Sequence, residues 1–322
     1  MAKPKVYIHR TFGCPYRWYM DDENEALLAA FADVVNDGSR ETRTPHDELV
    51  DRLAGVSAIL SLNGSGATDV TTEALRAAGT VKTAVISHWW HGGHDDAKRM
   101  WEAAGVEVID ESRPCNEAVA EWTLGAAIAG LFRFERFDRE MKSGVEWPDR
   151  RVARQLNGST FGIITLGRVG RIVAEYLRPF DCRVTAYDPG VPRALADELG
   201  VELTDLRTLL READVVSVHT PVLPETRGML GAEELALLKD GAVLVNSARA
   251  AIFDGAALRA ELLKKRFTAY MDVFEPEPPP LDDVLRTLDN VVMTPHIAGS
   301  TDMMFLRCGR AAIERLRSCL AS

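Results

Sequence analysis

Short apolar runs alternate with helix-spaced apolar positions along most of the chain. Lys5–Ile8, Ala58–Leu62, Val81–Ile86 and Val106–Ile109 are runs of strand length, and turn residues such as Asn63-Gly-Ser-Gly66 bound them. Between them, Glu23–Phe31 places Leu27, Leu28 and Phe31 on one helical face, and Thr71–Ala78 and Asp95–Ala104 also read as helices. A long helix is predicted over Asn116–Lys142. A second series starts near Gly158, with strands predicted at Phe161–Thr165, Arg183–Tyr187, Val215–Val218, Val243–Asn246, Thr268–Val273 and Val291–Thr294. The tail, Met303–Leu320, reads as a helix with Leu306, Ala311, Ile313 and Leu316 apolar. Strands that alternate with helices predict parallel α/β sheets, and the six strands of the second series fit one doubly wound domain.

Composition narrows the class. At 322 residues the chain is long enough for two domains of ordinary size. A formal net charge of -10 argues against non-specific nucleic-acid binding, which needs clustered Lys and Arg. The five cysteines (Cys14, Cys115, Cys182, Cys308, Cys319) are scattered and never form C-x-x-C, so neither a disulfide framework nor a zinc site is expected, and a reducing cytoplasm is the simplest compartment. The N-terminus has no apolar signal-peptide core. The most apolar stretch, Trp122–Phe134, is too short to span a bilayer and reads as a buried helix. No metal, nucleic acid or membrane is expected as a partner.

The stretch Phe161-Gly-Ile-Ile-Thr-Leu-Gly-Arg-Val-Gly170 carries the first chemistry. An apolar strand runs into a glycine turn, and Ile172, Val173, Tyr176 and Leu177 follow at helical spacing. Such a turn presents backbone N–H groups and a helix dipole to a pyrophosphate. The G-x-G-x-x-G fingerprint is incomplete, because Thr165 stands at its first glycine while Gly167 and Gly170 fit. The next predicted strand ends in Asp188, 23 positions past Thr165. A carboxylate there would accept hydrogen bonds from ribose hydroxyls and repel a 2′-phosphate, which favours NAD over NADP. The alternative for Asp188 is a turn-forming residue before Pro189 and Gly190.

Three ionisable residues then follow strand ends: Arg249 after Val243–Asn246, Glu277 after Thr268–Val273 and His296 after Val291–Thr294. Ligands of open parallel sheets bind at the carboxyl ends of strands. A guanidinium grips a carboxylate bidentately, a histidine moves a proton near neutral pH, and a carboxylate beside it would hold its ring. Each has a plain alternative as a surface charge, a solvated loop residue or a loop cap.

Taken together, Asn116–Glu121, Thr165–Gly170, His219-Thr-Pro-Val-Leu-Pro-Glu-Thr-Arg-Gly-Met229, Val245–Arg249, Met271–Pro278 and Asn290–Thr301 resemble the D-isomer-specific 2-hydroxyacid dehydrogenase family, in the family's order. The resemblance implies a Rossmann NAD-binding domain over 112–296, inserted into a flavodoxin-like substrate domain formed by 1–111 and completed by 297–322. It implies hydride transfer between NAD and a D-2-hydroxy or 2-keto acid. Arg249 would bind the carboxylate, and His296, paired with Glu277, would be the acid/base. Cofactor contacts are implied at Thr165, Leu166, Gly167, Arg168, Val169, Gly170, Asp188, His219, Thr220, Pro221, Thr226, Ser247, Ala248, Asp272 and Gly299, with Asp272 on the nicotinamide carboxamide. A homodimer through the helix after Asn116 is implied too, and it accounts for the apolar Trp122–Phe134 better than a monomer core does.

This chain departs from the pattern at Thr165 and at Ala250, where the family has glycine. Neither departure removes a reacting group. Thr165 is expected to turn its side chain from the pyrophosphate while Leu166 to Val169 offer backbone N–H groups. The substrate loops are expected at Asn63 and Gly64 and at His88, Trp89 and Trp90, with a tryptophan walling the substrate's side chain or packing structurally. The interval between Arg52 and Arg76 holds no Lys or Arg, which disfavours a phosphorylated substrate unless Arg10 or Arg17 reaches it. Relatives of this fold include cofactor-sensing corepressors, the alternative in another functional class. A formate-type enzyme is disfavoured by Glu277.

Overall fold

The computed structural model describes residues 2–10, 15–36, 45–63, 70–88 and 94–321, with no side-chain description at 94–97. Gly64, Trp89 and Trp90, expected near the substrate, lie outside the described residues. The chain divides into two compact units, Met1–Cys115 with Ser300–Ser322, and Asn116–Gly299. The second interrupts the first.

In the first unit the described strands are β1 (Lys5–His9), β2 (Asp33–Asn36), β3 (Val56–Ser61), β4 (Thr83–Ile86) and β5 (Glu107–Asp110). They form a parallel sheet in the order β2-β1-β3-β4-β5, the flavodoxin-like order. The helix Thr72–Ala78 starts where the Thr71 hydroxyl accepts from the Ala74 N–H and ends at Gly79, whose φ of 66° suits a glycine. The C-terminal helix Asp302–Ala321 packs on this unit, and Gly309 lets it come close: a Cβ there would lie 2.1 Å from the Tyr19 carbonyl oxygen.

The second unit carries β6 (Thr160–Ile164), β7 (Arg183–Tyr187), β8 (Glu202–Leu203), β9 (Val215–Val218), β10 (Val243–Asn246), β11 (Thr268–Met271) and β12 (Val291–Met293). The parallel order is β12-β11-β10-β9-β6-β7-β8, a dinucleotide-binding sheet with one further strand. Successive residues serve opposite faces. Phe161, Ile163, Val243, Val245 and Tyr270 join one core cluster, and Ile164, Val216, Val218, Leu244 and Met271 join the other. A sheet covered on both faces explains why its strands read as unbroken apolar runs. The topological switch lies between β6 and β9, neighbours in space but not in sequence.

Several elements differ from the sequence reading. The strands β2 and β8 and the helix His46–Leu53 are not foreseen, and the second sheet has seven strands where six are predicted. β8 has only two residues and carries no period to detect. The long helix predicted over Asn116–Lys142 is two helices, Arg113–Phe132 and Phe134–Lys142, broken at Arg133 with φ 59°. The Arg133 guanidinium donates to the Thr268 hydroxyl (3.0 Å) and the Gly241 carbonyl (3.3 Å), contacts that fix the break.

The apolar stretch at this break belongs partly to the core. Ala126, Ala127 and Leu131 are buried, and at Gly130 a Cβ would come within 2.6 Å of Val243. Phe132 and Phe134 are exposed in the single chain. Among the described residues, no helix is long and apolar enough to cross a membrane.

Candidate active site

The second sheet brings the chemistry to the carboxyl ends of its strands. β6 runs into a turn that enters the helix Arg168–Leu177, with Gly167 at its N-cap and no side-chain cap. The first N–H groups of a helix lack helical acceptors and point out along the axis. A Cβ on Gly167 would find nothing nearer than the Thr165 methyl at 3.7 Å, so its outer side is open to an approaching group. At Gly170 a Cβ would lie 2.3 Å from the Thr165 carbonyl oxygen, so only glycine allows the helix to pack this close to the strand. A glycine helix start with open space around it suits an anionic diphosphate.

Thr165 takes the left-handed conformation, φ 79°, that the first fingerprint glycine would supply. Its N–H donates to the Tyr187 carbonyl at 2.8 Å. Its hydroxyl lies 2.9 Å from the Thr220 hydroxyl, across the switch between β6 and β9.

The next residue corrects an expectation. The Leu166 N–H, expected to be offered to a pyrophosphate, donates instead to Asp188 Oδ2 at 2.9 Å. The remaining N–H groups of the turn belong to Gly167, Arg168 and Val169. Asp188 Oδ1 accepts from the Gly190 N–H at 2.9 Å, so the turn-forming reading of this residue holds. Each carboxylate oxygen of the part-exposed Asp188 keeps further lone-pair capacity.

Beyond β9, His219 Nε2 lies 3.1 Å from the buried Ser217 hydroxyl, and enclosure of the ring pushes its pKa down to about 3, so it is neutral at pH 7. Thr226 ties the following loop: its hydroxyl donates to the Pro221 carbonyl (2.6 Å) and accepts from the Leu223 N–H (2.8 Å). At the end of β10 the fully buried Asn246 accepts from the Ala248 N–H (3.1 Å) and donates to the Arg249 carbonyl (3.3 Å). Ser247 meets the Thr123 hydroxyl at 3.2 Å. Asn246 therefore holds the turn that presents Arg249, whose exposed side chain lies at the surface with Nη1 on the Ala248 carbonyl (2.6 Å). The sequence reading named Arg249 and missed Asn246. An Asn at a strand end, two residues before a turn N–H, was the available signal.

His296 follows β12 with φ 55°. Its N–H donates to the Asp272 carbonyl (2.9 Å) and the Thr294 carbonyl (3.0 Å). The Asp272 carboxylate, closed to solvent, accepts from the Thr294 hydroxyl (2.5 Å), the Ile297 N–H (2.9 Å) and the Ala298 N–H (2.8 Å). In this geometry Asp272 clamps the loop on both sides of His296, and Gly299 follows directly. His296 Nδ1 lies 2.9 Å from Glu277 Oε2, while Glu277 Oε1 accepts from the Phe274 N–H at 2.8 Å. Burial alone would raise the Glu277 pKa. The bonds from His296 and Phe274, with the nearby His296 and Arg249 charges, outweigh it and hold the carboxyl below its ordinary value.

In the first unit, Asn63 and His88 are buried. His88 Nδ1 meets the fully buried Tyr19 hydroxyl at 2.9 Å, and its ring stands edge-on to Phe305. That places His88 in packing between a helix and the C-terminal helix rather than on an open surface. Arg17 is engaged by Asp22 at 3.0 Å. Among the described residues, no group of three His, Cys, Asp or Glu side chains could hold a metal ion.

The chain is similar to known proteins along most of its length. A family profile described as "D-isomer specific 2-hydroxyacid dehydrogenase, NAD binding domain" matches residues 124–298, more than half of the chain. A hydroxypyruvate reductase of Thermotoga maritima is 32% identical over 98% of this chain and 98% of its own length. A D-3-phosphoglycerate dehydrogenase of Methanocaldococcus jannaschii is 32% identical over 85% of this chain but only 52% of its own, so the chain spans about half the length of that relative. Among solved structures, D-lactate dehydrogenase from Aquifex aeolicus, complexed with NAD and lactic acid, matches with a TM-score of 0.68 and 26% identity, over 98% of this chain and 95% of that one.

Proposed function

Because the chain belongs to the D-isomer-specific 2-hydroxyacid dehydrogenase family, we propose that it interconverts a D-2-hydroxy acid and its 2-keto acid with NAD as cofactor. The cofactor, when bound, supplies or accepts the hydride at the acid's second carbon. The chain's own residues do the rest. The Gly167–Val169 helix start and Asp188 hold the dinucleotide, with Thr220, Pro221, Ser247, Ala248 and Gly299 around it. Arg249 grips the substrate carboxylate. His296, whose Nδ1 faces Glu277, gives a proton from Nε2 to the keto oxygen during reduction and takes it back during oxidation. The ionised Glu277 fixes the ring and stabilises its protonated form.

The observation that carries this reading is the His296–Glu277 contact of 2.9 Å on a loop clamped by Asp272. The end-to-end match to a hydroxypyruvate reductase, with no Lys or Arg between Arg52 and Arg76, favours a small unphosphorylated 2-keto acid. Relatives named as dehydrogenases and reductases lend nothing to the corepressor reading. The exposed Phe132, Phe134 and Trp147 favour a homodimer through the helices after Asn116. The scattered cysteines favour the cytoplasm.

An NADH-oxidation screen with glyoxylate, hydroxypyruvate, pyruvate and 3-phosphohydroxypyruvate tests the reading. The expected result is turnover of an unphosphorylated acid. No turnover of any of the four, with NADH bound, would remove the proposed activity.

A further inference from the structure

A β-branched residue in the left-handed region is uncommon and strained, so it persists only where its surroundings hold it. Thr165, with φ 79°, is such a residue at the cofactor turn. Two bonds hold it: its N–H on the Tyr187 carbonyl and its hydroxyl on Thr220. Thr220 is buried, follows β9 and lies 3.4 Å from the Ile164 carbonyl, which only accepts. In either direction the 2.9 Å contact ties the Thr165 hydroxyl to the neighbouring strand end.

We infer that the Thr165–Thr220 hydroxyl pair is a latch across the topological switch point. It fixes the strained turn so that the N–H groups of Gly167 to Val169 are pre-aimed at the cofactor's diphosphate. Thr165 is on this view a positioning residue, supplying by a tertiary hydrogen bond the turn geometry that glycine would reach by its own freedom. The inference rests on the NAD-binding reading above. It goes further by assigning a task to the one side chain that breaks the fingerprint.

Direct titration of NADH fluorescence with purified full-length protein tests it. Wild type must bind NADH; if it does not, the cofactor reading falls, and the latch with it. Given wild-type binding, Thr165→Val keeps the shape, loses the hydroxyl and raises the Kd roughly threefold to tenfold, the loss of one partly buried hydrogen bond. Thr165→Ser keeps the donor and binds within about twofold of wild type. The double variant Thr165→Val with Thr220→Val is no weaker than the weaker single variant, because both remove the same bond. Should Thr165→Val fail to fold, Thr220→Val attacks the bond from its other end and is read in the same way. The latch is overturned if valine at 165 binds NADH as tightly as wild type, if serine is as weak as valine, or if the two valine effects add.

Discussion

Two loops at the carboxyl edge of the second sheet adopt left-handed backbone at a residue with a side chain, Thr165 and His296, and they are held in different ways. At His296 the restraint is a carboxylate closed to solvent: Asp272 accepts three side-chain-directed bonds from residues 294, 297 and 298, and its carbonyl takes the His296 N–H. At Thr165 the restraint is one hydroxyl pair and one backbone bond, with the part-exposed Asp188 holding the neighbouring Leu166. Charge-assisted bonds inside a protein are stronger than neutral ones. The loop bearing His296 is therefore held by the stronger bonds. The turn at Thr165 is held by a hydroxyl pair, a backbone bond and a part-exposed carboxylate. Damage to the first will show in stability and rate together. Damage to the second will show in cofactor affinity.

Substitutions can break or sharpen that contrast. The largest effect falls on the proposed acid/base: His296→Asn lowers kcat/KM by about a hundredfold to ten-thousandfold, the usual contribution of a general acid/base. Next is the clamp. Asp272→Asn replaces one acceptor oxygen by a donor NH2 facing an N–H group, and it destabilises the fold by about 2–4 kcal/mol, read from urea unfolding of the protein without cofactor. A variant as stable as wild type would dissolve the distinction between the two loops. Glu277→Gln keeps the contact to His296 but removes the charge, with an expected loss of roughly tenfold to a hundredfold in kcat/KM. Its depressed pKa adds a sign. Wild-type Glu277 contributes stability above its ordinary pKa of 4.5, lost as pH falls through the lower folded value, so the glutamine variant has the flatter acid limb.

The surroundings of the turn at Thr165 give an effect that is absent at neutral pH and appears only in acid. His219 is uncharged when folded, with a pKa near 3 against an ordinary 6.5. Between those values the unfolded chain binds a proton that the folded chain does not, so this contribution is intact above pH 6.5 and is lost as pH falls toward 3. His219→Gln should lose less stability between pH 7 and pH 4 than wild type, measured by thermal melts across that range. An equal loss would mean that the ring is not enclosed.

The same contrast explains what could be read from the chain alone. The positions of Arg249, Glu277 and His296 were legible because each follows an apolar run that ends at the carboxyl edge of the second sheet, and the parallel α/β architecture was legible from the runs themselves. The restraints were not. Asp272 meets partners 22 to 26 positions away, and the Thr165–Thr220 bond spans 55 positions. No local pattern encodes such pairings. The break at Arg133 has no proline to announce it, and its cause lies on Gly241 and Thr268. Leu166 illustrates the same limit: the fingerprint marks the turn, but the competition for its N–H is decided by where the Asp188 side chain comes to rest.

The most direct test of the proposed chemistry is steady-state NADH oxidation with hydroxypyruvate by wild type and His296→Asn, with NADH affinity measured on the same preparations. The expected result is turnover by wild type, a loss of at least about a hundredfold in the variant, and NADH binding by both. Turnover by the variant at the wild-type rate would contradict it.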